Sequence, residues 1–307
     1  MPSPRQTVTI VQQKLAEAGV TPDARRGQNF LVDLNLLELL VREADIQSDD
    51  VVLEVGTGTG ALTCQLAERA AAVVTVEVDS RMQQLARDIL FGFSNVTMLH
   101  QDVLRNKNNI HPAVVETVQA KLEETSARRW LLVANLPYAI ATPLISNLLL
   151  TVPTPDAMTV TIQKELADRM TASPGTKDYS ALSVWVQSLC ESRIVRVLPP
   201  SVFWPRPKVH SAFIQIVPQP TLRAGFSDLK GYHEFVRSLF FHRRKFMRSV
   251  LVAAMKHQLT KADVDEVMQE MGFGPDTRSE QLTVDQIHKL FDCVTAAIAR
   301  TVAENGG

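Results

Sequence analysis

The chain has 307 residues, of which 45% are hydrophobic and 21% are charged, a balance typical of a globular protein with a sizeable core. Its net charge of −1 gives no overall attraction to nucleic acid, so any such binding must depend on a local basic patch. The cysteines are far apart without a CxxC pair, which argues against a disulfide framework and favours the cytoplasm. No apolar run of about 18 residues occurs, so no membrane span is expected.

The first part of the chain predicts strands that alternate with helices. Residues 8–18 and 34–44 have the apolar spacing of short helices. The segments that follow are a strand, a glycine-rich turn and a helix over 50–70, a strand at 72–79, a strand at 95–104, a polar insertion with a helix at 106–129, a strand at 130–138, a helix beginning at 145 and a strand running into a helix at 157–170. This alternation indicates a parallel α/β sheet.

In the later part of the chain the alternation of strands and helices ends. A helix is predicted at 180–190, and the strands at 192–199 and 211–218 suggest an antiparallel pair at one sheet edge. Beyond 218 the patterns at 232–255 and 284–302 are helical, with no strand between them. We therefore predict an N-terminal extension with a short helix (1–26), an α/β domain (27–217) and a helical domain (218–307).

The segment LEVGTGTGAL places Gly56, Gly58 and Gly60 after a buried strand and before a helix. Glycines there allow backbone to approach a ligand closely, at the strand end where nucleotide-like ligands bind. Glu77 ends the next strand, 21 residues after Gly56 (77 − 56), at the spacing of a carboxylate that binds ribose hydroxyls. Asp102 ends the third strand, where a side chain can bind the edge of an adenine.

Two cofactors compete for this layout. A dinucleotide requires G-x-G-x-x-G, whereas the spacing here is G-x-G-x-G with Ala61 next. The acidic Glu54 before the first glycine is expected to suit a cationic cofactor and to repel a pyrophosphate. The pattern therefore favours S-adenosylmethionine. The alternative without a ligand is that the glycines only permit tight packing.

The fourth strand ends in Asn135-Leu136-Pro137-Tyr138, and so faces the same crevice. The side-chain oxygen of Asn135 and a carbonyl of Leu136 or Pro137 are suited to accept both hydrogens of an adenine N6 amino group. Such bonds would localise the lone pair for in-line attack on a sulfonium methyl. Tyr138 is expected to stack on the base. Without the glycine motif, a proline turn with Asn135 as helix cap would be the better explanation.

A basic run near residue 244 is the best candidate for contact with RNA. It contains Arg243, Arg244, Lys245 and Arg248, with three phenylalanines close by. Clustered cations bind phosphates in a salt-dependent way, although a solvated helix face explains such a run about equally well. The histidines show no metalloenzyme spacing, so no metal is expected.

Eight motifs in order carry a family resemblance that runs from about Arg26 to about Ala297. They are GQNFLVD, LEVGTGTGALT, VEVD, QDVL, NLPYAIATPLI, QKELADRM, VFWPRPKVHSAF and FFHRRKFMRSVL. Together they resemble the ribosomal RNA small-subunit adenine N6,N6-dimethyltransferase family (KsgA/RsmA type). The resemblance implies a Rossmann-like class I methyltransferase domain with a mostly parallel seven-stranded sheet, followed by a small all-helical domain.

The resemblance also implies an activity and assigns residues to it. Methyl groups would pass from S-adenosylmethionine to N6 of two adjacent adenosines near the 3′ end of small-subunit rRNA. Gln28, Asn29 and Leu31 would close over the cofactor, and Gly56 and Gly58 would lie under it. Glu77 would bind the ribose and Asp102 the adenine. Asn135 would sit between cofactor and target base, and Phe203 would stack on the flipped base opposite Tyr138; the alternative for Phe203 is a core aromatic.

The chain departs from the family pattern at four positions. Thr57 and Thr59 replace a proline and a bulky residue, which we expect to loosen the glycine loop. Ala139 and Ala141 replace two polar residues after the catalytic turn, which puts the second methylation in question.

The resemblance leaves other functions open, and it implies particular partners. A large-subunit (Erm-like) methyltransferase and a non-catalytic nucleic-acid-binding factor are the alternatives, while a NAD-dependent oxidoreductase fails on the glycine spacing. The expected partner is small-subunit rRNA within a pre-assembled subunit, since a near-neutral chain suits a shaped RNA. We expect neither a metal nor a membrane partner, and we expect the protein to be a monomer.

Overall fold

The computed structural model describes residues 8–22, 27–242 and 244–305. The chain forms two compact units, one of Met1–Ala167 with Ser192–Pro218 and one of Asp168–Glu191 with Gln219–Gly307. The segment Asp168–Glu191 thus groups with the helical unit, although the sequence placed it in the α/β domain. The three-part division at residues 26 and 217 stays a prediction, and residues 1–7 and 23–26 of the predicted extension lie outside the described ranges.

The first unit is built on a sheet of seven strands within the described residues. The described strands are β1 (Phe30–Leu31), β2 (Val51–Val55), β3 (Ala72–Glu77), β4 (Val96–His100), β5 (Leu104–Asn106), β6 (Asn109–Ile110), β7 (Trp130–Asn135), β8 (Ala157–Gln163), β9 (Cys190–Leu198), β10 (Phe203–Trp204) and β11 (Ser211–Pro218). The sheet order is β4-β3-β2-β7-β8-β11-β9. The neighbours from β4 to β8 are parallel, and β11 is antiparallel to β8, which confirms the predicted mixed α/β fold.

Burial explains why β2, β3 and β7 lie at the centre of this sheet. Every residue of β2 and β3 is buried, and so are the first five residues of β7. Apolar runs of this kind, rich in valine and leucine, are typical of strands covered on both faces. Because these strands are parallel, their carboxyl ends meet at one edge, and polar residues at those ends come together there.

The helices complete the two units. In chain order they are α1 (Val8–Glu17), α2 (Leu34–Glu43), α3 (Ala61–Ala67), α4 (Ser80–Leu90), α5 (Pro112–Thr125), α6 (Tyr138–Leu148), α7 (Lys164–Met170), α8 (Ala181–Gln187), α9 (Pro220–Arg223), α10 (Leu229–Phe240), α11 (Met247–Ala254), α12 (Lys261–Glu270) and α13 (Val284–Asn305), with 3-10 turns at Pro200–Val202 and Ser279–Gln281. Val11 and Leu15 of α1 are buried in a cluster with Phe30 and Met82. None of the described helices is long and apolar enough to cross a membrane.

Two predicted helices have different bounds in the structure. The helix after the fourth strand was expected to begin at residue 145, but α6 begins at Tyr138 with Pro137 as its N-cap. The fixed φ of proline suits the entry to a helix, so the turn and the helix share these residues. The helical pattern at 232–255 is two helices, α10 and α11, so Arg244 and Lys245 lie in their connection, whereas Arg248 lies in the first turn of α11.

A two-residue pairing was not predicted from the sequence. Strand β1 pairs antiparallel with β10, with Phe30 opposite Trp204 and Leu31 opposite Phe203. This contact brings the GQNFLVD motif beside the VFWPRPKV motif, which lies far away along the chain. It fixes the segment that forms one wall of the cavity described next.

Candidate active site

A cavity of about 310 Å³ lies at the carboxyl ends of the parallel strands of the first unit. Eight of the predicted site residues line it: Gln28, Asn29, Gly56, Gly58, Glu77, Asp102, Asn135 and Pro137. The fold therefore brings together residues that lie more than a hundred positions apart in the chain. Leu31, Leu136, Tyr138 and Phe203 are not among the residues that line this cavity.

The glycine loop between β2 and α3 is bent in a way that requires glycine. The φ angles of Gly56, Gly58 and Gly60 are 86°, 56° and 78°, all in the left-handed region that disfavours other residues. A Cβ on Gly56 would lie 3.6 Å from the Cδ of Pro137. The loop thus keeps bare backbone facing the cavity, as a closely bound ligand requires.

The Glu77 carboxylate is held by two backbone donors. The N–H of Gly58 donates to its Oε2 at 3.2 Å, and the N–H of Asp79 donates to its Oε1 at 3.0 Å. Burial raises the pKa of Glu77, and these hydrogen bonds oppose that rise. Each oxygen keeps a further lone pair, so the carboxylate is fixed in position and can still accept from two ligand hydroxyls.

Asp102 lines the same cavity and lies two residues after the end of β4. Its Oδ1 accepts a hydrogen bond from the N–H of Leu104 at 2.9 Å, which turns the chain and orients the carboxylate. The cavity is also lined by residues that were not predicted from the sequence, among them Val78, Met82, Gln101, Val103 and Ile140. Val78 is 50% exposed, although it follows a buried strand. The signal in the sequence was a valine directly after Glu77, at a strand end where an apolar side chain can contact a flat ring.

Asn135 has a defined orientation. Its Nδ2 donates to the main-chain oxygen of Asn29 at 2.8 Å. Because that carbonyl can only accept, the amide must present its NH₂ to Asn29 and direct its Oδ1 away from it. The side chain of Asn135 lines the cavity, so a carbonyl-type acceptor is available at the end of β7.

The three residues after Asn135 have different surroundings. The Pro137 carbonyl accepts from the N–H of Ile140 at 3.1 Å, which leaves the Leu136 carbonyl as the second candidate acceptor. The Leu136 side chain is buried. The Tyr138 hydroxyl lies 2.6 Å from Ser211 Oγ, and burial raises the pKa of this phenol. Tyr138 is therefore tied to β11 through its hydroxyl.

Leu31 and Phe203 belong to the apolar core. They are 2% and 3% exposed and share a cluster with Phe213. Leu31 lines a small cavity of about 40 Å³ beside the glycine loop. The structure does not support the predicted stacking role of Phe203, because its ring presents no open face to a base.

The glycine loop is also tied to the sheet by hydroxyl groups, which contradicts the expectation that its threonines loosen it. Oε2 of Glu54 accepts from Thr63 and Thr75, each at 2.6 Å, and the Thr57 hydroxyl lies 2.7 Å from that of Thr75. Because the only hydroxyl proton of Thr75 goes to Glu54, Thr57 must donate to Thr75. Thr59 is buried as well.

Glu54 does not present the negative charge that the sequence suggested. It is fully buried, and this desolvation raises its pKa to about 8, despite the hydrogen bonds from Thr63 and Thr75. Among the described residues, its Oε1 has no hydrogen-bond partner. The carboxyl is therefore mostly protonated at neutral pH, and it cannot discriminate between cofactors by charge.

The two alanines that replace polar family residues differ in position. Ala139 is exposed and lines the cavity, whereas Ala141 is fully buried within α6. Of the two alanines, only Ala139 can therefore contact a ligand in the cavity.

The predicted RNA-binding residues lie in the second unit. Arg244 and Lys245 are exposed in the connection from α10 to α11, and Lys245 lines a groove of about 540 Å³ with Phe241. Arg248 forms a two-pronged ion pair with Asp265, so its charge is already compensated. Arg243 lies outside the described residues. No group of three metal-binding side chains occurs in the described ranges.

Comparison with known proteins shows which family this chain is similar to. The family profile described as ribosomal RNA adenine dimethylase matches residues 23–296. Relatives named ribosomal RNA small subunit methyltransferase A include one from Halothermothrix orenii, 37% identical, with 91% of this chain and 90% of the relative covered. Another from Geobacillus thermodenitrificans is 37% identical, with 90% and 92% covered.

Two solved structures share the fold. A dimethyladenosine transferase from Plasmodium falciparum has a TM-score of 0.72 at 24% identity, covering 86% of this chain and 97% of that one. The 23S rRNA methyltransferase ErmE has a TM-score of 0.62 at 25% identity, covering 87% and 100%.

Proposed function

The chain belongs to the ribosomal RNA adenine dimethylase family, and on this premise we propose that it methylates N6 of two adjacent adenosines near the 3′ end of small-subunit rRNA, giving N6,N6-dimethyladenosine. It is a methyltransferase that uses S-adenosylmethionine. The observation that carries the proposal is the convergence of the glycine loop, Glu77, Asp102 and Asn135 on one cavity.

The lining of the cavity fits S-adenosylmethionine better than a dinucleotide. Two carboxylates, Glu77 and Asp102, face the cavity, and no described residue that lines it is lysine or arginine. A pyrophosphate would meet repulsion there, whereas a nucleoside without phosphate would not. We assign Glu77 to the ribose hydroxyls and Asp102 to the adenine amino group. Gln28 and Asn29 would cover the methionine part above the loop of Gly56 and Gly58.

Asn135 and Leu136 form the acceptor for the target amine in this proposal. An adenine N6 lone pair is delocalised into the ring, which makes it a weak nucleophile. The Oδ1 of Asn135 and the Leu136 carbonyl would each accept one N6 hydrogen and direct the lone pair along the line of attack. The bound cofactor supplies an electrophilic sulfonium methyl group. After transfer the nitrogen is strongly acidic and loses its proton to water, so no general base is needed.

We further propose a partner for the enzyme and a compartment in which it acts. The substrate is small-subunit rRNA within a pre-assembled subunit, and the enzyme acts as a monomer in the cytoplasm. Support comes from the exposed Arg244 and Lys245 in the second unit, whose charges suit phosphates. The buried, unpaired Cys64, Cys190 and Cys293 suit a reducing compartment.

A large-subunit substrate is the second candidate, because the chain is 25% identical to ErmE over 87% of its length. The relatives with small-subunit names are 36–38% identical, which favours the first candidate.

The decisive experiment supplies labelled S-adenosylmethionine and both ribosomal subunits, each lacking N6 methylation, and then maps the modified adenosines. We expect dimethylated, adjacent adenosines in small-subunit rRNA. Asn135→Ala should abolish methyl transfer but change the affinity for the cofactor only a fewfold from wild type. The reason is that the proposed role of this side chain is to accept a hydrogen bond from the target amine. Label on large-subunit rRNA alone would support the second candidate, and cofactor binding without transfer to either subunit would contradict both.

A further inference from the structure

Two exposed cations, Arg206 and Lys208, lie in the loop 205–210 between β10 and β11. Within the described ranges, no ion pair or hydrogen bond joins either side chain to another residue. Cations that a fold leaves unpaired in a loop are available to a ligand, and loops on rigid scaffolds often carry binding residues.

The loop is anchored at both ends to the candidate active site. At its start, Trp204 pairs with Phe30, which lines the cavity. At its end, the His210 carbonyl accepts from the N–H of Lys164 at 2.9 Å, and the next residue, Ser211, bonds to Tyr138 at 2.6 Å. The loop therefore spans from the wall beside the cofactor to the turn that would hold the target base.

The backbone of the loop is stiff. Pro205 and Pro207 each fix one φ angle, and each restricts the residue before it to extended conformations. Arg206 is flanked by both prolines, and Lys208 follows the second. A stiff loop loses little conformational entropy when it binds a ligand, so its cations are preorganised for binding.

The acidic lining of the cavity favours cations close to it. The residues that line it include Glu77 and Asp102 but, among those described, neither lysine nor arginine. A target adenosine arrives with a phosphate on each side, and those phosphates would be repelled by the two carboxylates. Cations next to the cavity, such as Arg206 and Lys208, would offset this repulsion.

Resting on the proposed function, we infer that the 205–210 loop binds the RNA phosphates that flank the target adenosine, through Arg206 and Lys208. The loop would set the position of the nucleotide, while Asn135 and Leu136 recognise its amino group. This division between phosphate contacts that position and base contacts that specify is general in nucleic-acid recognition.

The test compares Arg206→Gln, Lys208→Gln and the double variant with wild type. Affinity for unmethylated small subunits is measured across a range of salt concentrations, and affinity for S-adenosylmethionine is measured by calorimetry. The double variant should reduce the slope of log affinity against log salt by about 1.4 to 1.8, the value for two phosphate contacts. Cofactor affinity should remain unchanged.

Arg128→Gln is the matched control. Arg128 is exposed and lies two residues before β7, at the opposite end of the strand from the cavity, so its loss should leave the salt slope unchanged. A double variant with the wild-type slope and wild-type transfer rate would overturn the loop assignment alone. A wild-type protein that transfers methyl groups to neither subunit would overturn the proposed function and this inference together.

Discussion

Replacing the buried Glu54 by glutamine should change how the stability of the protein depends on pH. In the folded protein the pKa of this carboxyl is about 8, against 4.5 in the unfolded chain. Between these values the folded state retains a proton that the unfolded state has released, so folding becomes less favourable as pH rises. The slope is about −1.4 kcal/mol per pH unit for one such group.

The size of the effect follows from the width of the window. A shift of 3.5 units (8 − 4.5) corresponds to about 5 kcal/mol of lost unfolding free energy from the bottom of the window to the top. Glu54→Gln cannot titrate, and its amide oxygen can still accept from Thr63 and Thr75. The stability of the variant relative to wild type should therefore rise by several kcal/mol from about pH 5 to about pH 8.

The assay is urea unfolding followed by circular dichroism, without cofactor, at several pH values across this window. The difference between the two curves isolates Glu54, since every other titration is common to both proteins. Glu68→Gln, an exposed carboxyl directly after α3, serves as control and should follow wild type. Parallel curves for wild type and Glu54→Gln would refute the view that burial keeps this carboxyl protonated.

Glu77→Gln should weaken S-adenosylmethionine binding tenfold or more and leave the binding of ribosomal subunits unchanged. The reason is that the NH₂ of the glutamine amide would have to face the N–H of either Gly58 or Asp79, where a carboxylate oxygen now accepts. Equal losses of affinity for the cofactor and for the subunits would exclude the ribose role. Phe203→Leu should lower the unfolding free energy by about 1 kcal/mol and keep the transfer rate near wild type, whereas a stacking ring would cost about 1–3 kcal/mol in that rate. Ala139→Asn should alter the ratio of monomethyl to dimethyl product in mass spectra, and Ala141→Ser should not, since only the first faces the cavity.

The parts of the site that lie at the ends of buried strands could be predicted from the sequence. Glu77 and Asn135 each end a strand and Asp102 follows one by two residues, and parallel strands bring such residues to one edge. The role of the glycines was predictable from local sequence, because Gly56 and Gly58 follow a buried strand and glycine permits the left-handed backbone of a tight turn.

The features that the sequence did not reveal depend on contacts between distant segments. No local pattern marks the pairing of Phe30 with Trp204, because two residues are too few to show a period. Burial of Phe203 depends on that pairing. The protonation of Glu54 depends on the burial of its whole side chain, and a strand pattern shows only that alternate or successive residues are apolar.

The pairing of β1 with β10 also fixes when activity can arise during synthesis. The carbonyl that orients the Asn135 amide belongs to Asn29, directly before β1, and β1 is paired only with β10 in the described structure. Contacts between segments so far apart in the chain form late in folding. A nascent chain that has not yet reached Trp204 can hold the glycine loop and the strand that ends in Asn135, but it has no partner for β1. The acceptor for the target amine is therefore completed by a segment that leaves the ribosome well after the residues that bind the cofactor.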